Sequence, residues 1–138
     1  MTAERGPRRA LFLALGSLAA VAAAAVAAGR WLDIVAVSGR SMAPTLLAGD
    51  RLLVEAFSYR RRPPRAGEII LAADPRRPSR ELVKRIGGVD PSSGSAELVG
   101  DAPDASTDSR SFGPVDLVDV RWRAAFRVWP PGRVGLVR

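Results

Sequence analysis

From Ala10 to Gly29 the chain runs for twenty residues, ALFLALGSLAAVAAAAVAAG, without a charge. At about 1.5 Å per residue a helix of that length reaches roughly the 30 Å of a bilayer core. Ala dominates the run, so it is a marginal span. Residues 1–9 are polar and basic, with Arg5, Arg8 and Arg9 against Glu4. A cleaved secretory signal also starts basic, but its apolar region is only about 7–15 residues long. The small residues Ala22–Ala28 would suit such a cleavage end. Length and the Leu-rich start favour a retained anchor. The expected organisation is a cytoplasmic tail over 1–9, a single transmembrane anchor over 10–29 and an outer-face domain over 30–138. Arg30 and Trp31 follow at once, a snorkelling cation and an interfacial aromatic.

Beyond Arg30 the pattern changes to short apolar runs broken by Pro, Gly and Arg. Strands are predicted over Asp33–Val37, Arg51–Ala56, Glu68–Ala72, Glu81–Ile86, Ala96–Val99 and Val118–Val128. Breaks are predicted at Pro63–Gly67, Asp74-Pro75, Gly87-Gly88 and Asp90–Gly94. Short strands at this spacing predict a mostly β, compact multi-stranded domain, with no long amphipathic helix. The cluster Arg60-Arg61-Arg62 with Arg65 fits a solvated loop or contact with anionic lipid. It lacks the aromatic interleaving and reader motifs of nucleic-acid binding, so no nucleic-acid partner is expected.

Two absences narrow the chemistry. The 138 residues contain no Cys and no His. That excludes a Ser-His-Asp triad, a Cys-His pair, imidazole or thiolate zinc sites and disulfides; no metal or cofactor is expected. The formal charge is +7, yet among twenty-one basic residues Lys84 is the only lysine. Arg is effectively never deprotonated, whereas a buried Lys can shed its proton near neutral pH. A base needs its ordinary pKa of about 10.4 lowered, and each pH unit represents about 1.36 kcal/mol. Burial among Leu82, Val83 and Ile86 would supply this. Arg85, expected on the opposite strand face, would add a positive charge that disfavours the ammonium.

Lys84 needs a nucleophile to serve, and Ser38–Leu47 offers one. Ser41 follows Gly39-Arg40, and Met42–Pro44 then bends the chain between Val35–Val37 and Arg51–Val54, which both read as strands. A hydroxyl on such a tight connection is presented to solvent. Most turn serines only satisfy nearby backbone groups, which is the competing reading. A serine hydroxyl becomes a nucleophile when a base takes its proton. Ser41 and Lys84 lie 43 positions apart, so only the fold can bring them together. A third polar stretch, Gly100–Arg110, reads as a hydrogen-bonded loop with Asp108 and Arg110 as an ion pair.

Taken together these stretches resemble the type I signal peptidases, the membrane-bound Ser-Lys peptidases. Ser38–Leu46 is similar to the family's nucleophile box and Leu82–Gly88 to its lysine box. Gly100-Asp101 with Ser106–Val115 is similar to its last box, and Trp129-Pro130-Pro131 is also familiar there. The resemblance implies that Ser41 attacks the scissile carbonyl, Lys84 acts as general base and Ser106 orients the amine. Asp108 and Arg110 would support the loop, and the Ser41 N–H would donate to the oxyanion. Some members carry a second donor hydroxyl where Gly39 stands. Val37, Gly39, Met42, Leu46, Leu82 and Val83 would line pockets for Ala at the first and third positions before the cut. The substrate would pair as an added strand.

The implied partners are preprotein signal peptides, the lipid bilayer and the protein translocation machinery; the implied location is the plasma membrane. Gly-Asp-Ala-Pro replaces the usual Gly-Asp-Asn opening of the last box, and the domain is a short form. A dedicated maturation protease of the nickel superoxide dismutase propeptide type resembles the chain nearly as well. The mitochondrial inner-membrane peptidases share the style of Asp108–Val115. A membrane-anchored β domain that binds without catalysis is the alternative of a different class.

Overall fold

The computed structural model describes residues 7–138, with side chains from Phe12 onward. The tail expected over 1–9 therefore lies mostly outside the described residues. The chain divides after Trp31 into two units. In the first, helix α1 spans Pro7–Gly29. Proline suits a helix start because the N–H it lacks would have no partner there. Phe12–Gly29 is long and apolar enough to cross a membrane. Its one hydroxyl, Ser17, donates to the Leu13 carbonyl at 2.8 Å and so is satisfied within the helix.

The second unit is β-rich. Its strands are β1 (Leu32–Ala36), β2 (Arg51–Glu55), β3 (Ile69–Asp74), β4 (Arg77–Asp90), β5 (Ser95–Val99), β6 (Val115–Asp116), β7 (Trp122–Trp129) and β8 (Gly135–Leu136). They pair antiparallel in the order β1-β2-β7-β3-β4-β5-β6, with β8 also on β7. The longest helix among the described residues after Trp31 is α2, Ser109–Phe112.

The continuous apolar run of β3 explains how this sheet builds two cores. Alternate residues of a strand point to opposite faces. Ile69 and Leu71 enter one cluster with Val37, Met42, Leu46, Leu52, Val54 and Ala124. Ile70 and Ala72 enter the other with Ile86, Ala96, Leu98, Val115 and Val120.

Two expectations are corrected. Gly87-Gly88 is not a turn: β4 runs through it for 14 residues, with a register shift between Ile86 and Gly88. The strand changes partners near this point, pairing β3 up to Arg85 and β5 from Arg85 onward. A Cβ on Gly87 would lie 3.0 Å from Val99 Cγ1, so glycine permits the close passage of β5. The last long strand begins at Trp122 rather than Val118. A 3-10 turn over Leu117–Asp119 precedes it and directs Val120 into the second core. The arginine cluster is partly structural, since Arg62 pairs with Glu68 and lies over the Tyr59 ring at 5.7 Å.

Candidate active site

The connection between β1 and β2 is closed at its neck. Val37 N–H donates to Asp50 O, and Gly49 N–H donates to Val37 O, both at 2.8 Å. Two apolar residues pin the loop from inside, Met42 and Leu46, each only 1% exposed. Buried Asp50 braces it further. Its carboxylate accepts from Leu47 N–H at 3.0 Å, Arg127 Nη1 at 3.1 Å and Arg133 Nη1 at 2.9 Å. The same two arginines donate to the Thr45 carbonyl. Ser41, half-buried, is thus carried on a short, clamped segment that includes a cis Ala43–Pro44 peptide.

Lys84 stands on β4 in the row Leu82-Lys84-Ile86, which strand alternation turns inward, and is 2% exposed. Its Nζ donates to Ser106 Oγ at 2.8 Å, and Ser106 Oγ donates to Asp108 Oδ2 at 2.9 Å. Asp108 also accepts from Gly100 N–H at 3.1 Å and from Arg110 Nε and Nη2 at 2.9 and 2.8 Å. The Arg110 guanidinium, aided by the Gly100 and Ser106 donors, holds the Asp108 carboxyl well below the usual range. Burial lowers the Lys84 pKa; Asp108 opposes this, while the charges of Arg80 and Arg110 add to it.

Arg85 does not press on Lys84 as expected. Its guanidinium is engaged by Asp101, Nε to Oδ1 at 2.8 Å and Nη2 to Oδ2 at 2.7 Å. The nearby positive charges come from Arg80 and Arg110 instead.

Ser41 and Lys84 line one groove, with Val37, Gly39, Met42, Leu82 and Val83 in its walls. Leu46, the sixth residue expected there, is placed in the core beside Met42. Ser106, Asp108 and Arg110 form the hydrogen-bonded chain leading from Lys84, and Ala105 and Thr107 contribute to the lining. Among the described residues no three His, Cys, Asp or Glu side chains are grouped for a metal ion.

Two contributors were given no role of their own from sequence. Gly100 sits where a Cβ would lie 2.2 Å from Ser106 Oγ and 2.6 Å from Ser41 O, so it lets both loops meet. Arg80 lines the groove two residues before Leu82. Its place four residues before Lys84 was the available signal for it.

The family profile described as signal peptidase, peptidase S26 matches residues 10–95, which include Ser41 and Lys84. The chain belongs to the S26 signal peptidase family. This S26 peptidase is similar to the mitochondrial ATP-independent inner membrane protease subunit 1a of Arabidopsis thaliana. The two are 39% identical over 123 residues, 74% of this chain and 73% of the relative. It is 31% identical to the human mitochondrial inner membrane protease subunit 1 over 123 residues, 76% of this chain and 74% of that one. Similarity to the Danio rerio mitochondrial inner membrane protease subunit 2 is 29% over 153 residues, 95% of this chain and 84% of the relative. The apolar α1 fits a membrane anchor in a peptidase of this family. By name the relatives belong to the mitochondrial inner membrane, so they give the plasma membrane no support.

Proposed function

We propose that this S26 peptidase is a membrane-anchored serine endopeptidase that removes N-terminal signal segments from precursor proteins. Ser41 is the nucleophile and Lys84 the general base. The observation that carries this is the placement of the only lysine. It is buried, hydrogen-bonded to Ser106, and on the groove that Ser41 also lines. A neutral amine that donates one N–H to Ser106 keeps its lone pair for the Ser41 proton. Ionised Asp108 accepts the Ser106 hydroxyl proton, which leaves Ser106 Oγ to accept from Lys84.

In the reaction the Ser41 Oγ adds to the scissile carbonyl as its proton passes to Lys84. The Ser41 N–H donates to the oxyanion. The lysine ammonium then protonates the departing amine, and water releases the acyl group from Ser41 with Lys84 again as base. The precursor enters as a strand. The β4 stretch Arg77–Lys84 is paired on one side by β3, whereas β5 begins pairing only at Arg85. Its other edge is therefore open, with residues 36–42 across the groove.

Purified full-length enzyme in detergent should cut a panel of precursors at one site each, read by N-terminal sequencing of the products. Ser41→Ala should abolish every cut; cleavage by this variant would overturn the nucleophile assignment. Changing the residue before the cut from Ala to Phe should lower kcat/KM at least about 10²-fold, because the groove walls leave little room there. Equal cleavage of both would exclude these walls as the specificity pocket.

The proposed topology puts residues 1–9 on the cytoplasmic side and the β domain on the outer face, next to the translocation machinery that delivers precursors. Protease added outside intact spheroplasts should digest the chain beyond Arg30. Protection until the membrane is broken would place the domain on the inner side. The relatives' names raise a second location, a mitochondrial inner membrane, which fractionation in the native host distinguishes.

A further inference from the structure

The arginines that brace this domain have carboxylate partners, such as Arg85 with Asp101, Arg110 with Asp108 and Arg133 with Asp50. Arg40 and Arg80 differ. Both are exposed, both line the groove, and neither has an ion-pair partner among the described residues. They stand on opposite walls, Arg40 beside the nucleophile and Arg80 on β4. The peptidase chemistry derived above gives Arg40 no part, and Arg80 enters it only through the charge felt at Lys84.

Strand geometry bounds where Arg80 meets a bound chain. Leu82 and Lys84 share one face of β4 about 7 Å apart, and Arg80 precedes them where the pairing slips, Ala73 opposing Glu81 but Asp74 opposing Arg77. A precursor laid along the open edge advances at the same rate of about 3.3 Å per residue. The Arg80 backbone therefore comes level with a side chain no more than about four residues from the one beside Lys84. The long Arg80 side chain shortens that reach, since its charge is felt at the Lys84 amine. Two nearby acids do not neutralise it. Asp74 is engaged by the Arg76 backbone N–H at 2.9 Å and by its guanidinium, and Glu81, which also lines the groove, forms no ion pair with Arg80 or Arg40.

We infer that Arg40 and Arg80 form a cationic collar that selects precursors bearing Asp or Glu within about four residues of the cut. The inference rests on the peptidase reading above and adds a substrate preference to it. A carboxylate held between the two walls gains attraction from both cations, and a precursor lysine is repelled by both. The effect belongs to partly exposed charges, so salt screens it.

The test uses full-length enzyme in zwitterionic detergent and one cleavable precursor. Each position within about four residues of the cut is made Ala, Asp or Lys in turn. At low salt at least one position should favour Asp over Lys by about tenfold in kcat/KM, and about 1 M salt should erase most of that ratio. Arg80→Glu should invert the preference and Arg40→Glu should weaken it. Because each ratio is measured within one enzyme, a general loss of rate in a variant cancels. Cleavage of the Ala parent with equal Asp and Lys rates at every position would overturn the collar and leave the peptidase reading standing. An unchanged ratio in Arg80→Glu would remove Arg80 from it. Failure of folded enzyme to cut any version, the parent included, would overturn the peptidase reading and the collar with it.

Discussion

Lys84→Arg is expected to leave the β domain folded and to abolish cleavage as Ser41→Ala does, a loss of at least about 10³-fold in kcat/KM. The substitution keeps the positive charge and approximate length, so a purely structural role would survive it in part. A general base must be neutral before it can act, and guanidinium does not shed its proton near neutral pH. Lys84 is 2% exposed, so the bulkier head could disturb packing. Lys84→Met, uncharged and of similar length, provides the parallel variant, and thermal melts establish that each is folded.

The pH profile supplies a second readout. Burial disfavours the ammonium, so the amine loses its proton at a lower pH than a solvated lysine. The wild-type rate should therefore rise with pH along a limb whose midpoint lies below the ordinary lysine value. Asp108 stays ionised throughout, since Arg110 and its other donors hold its carboxyl well below the usual range. Near-normal cleavage by folded Lys84→Arg, or a flat profile through neutral and mildly alkaline pH, would sink the Ser-Lys mechanism.

The parts of the site that could be read from sequence are those where composition left few choices. With no His or Cys and one lysine, a base for Ser41 had to be Lys84 or a carboxylate. The alternation around Lys84 already implied its burial. The apolar run expected as a strand over Glu68–Ala72 is the β3 strand, which the structure covers on both faces.

What was missed depends on tertiary neighbours. Gly87-Gly88 has the composition of a turn, but Val99 of β5 occupies the space that side chains would need. Leu46 looks like a pocket residue, yet the clamped loop turns it into the core, where Leu52 and Val54 wait. The strand pattern could place Arg85 on a face but not reveal that Asp101 engages it bidentately.

Gly100→Ala should lower kcat by about 10²-fold while costing about 1–3 kcal/mol of stability. Glycine is required there for space alone, because its φ lies outside the left-handed region. An added Cβ would sit 2.2 Å from Ser106 Oγ, 2.5 Å from Ser106 Cβ and 2.6 Å from Ser41 O. All three separations are far inside van der Waals contact, so at least one loop must move by about 1 Å. Either movement disturbs the proposed dyad. Retreat of Ser106 lengthens its 2.8 Å bond to Lys84, and retreat of Ser41 strains the 2.9 Å bond from Ala102 N–H to its carbonyl. A displacement of that size at reacting groups costs on the order of 10² in rate, whereas the groove walls that bind precursor change little. KM should accordingly shift much less than kcat. Gly132→Ala makes the same chemical change where a Cβ meets nothing within 4 Å, and it should melt and turn over like the wild type. A wild-type kcat in folded Gly100→Ala would mean that the meeting of these two loops does not set the reaction geometry.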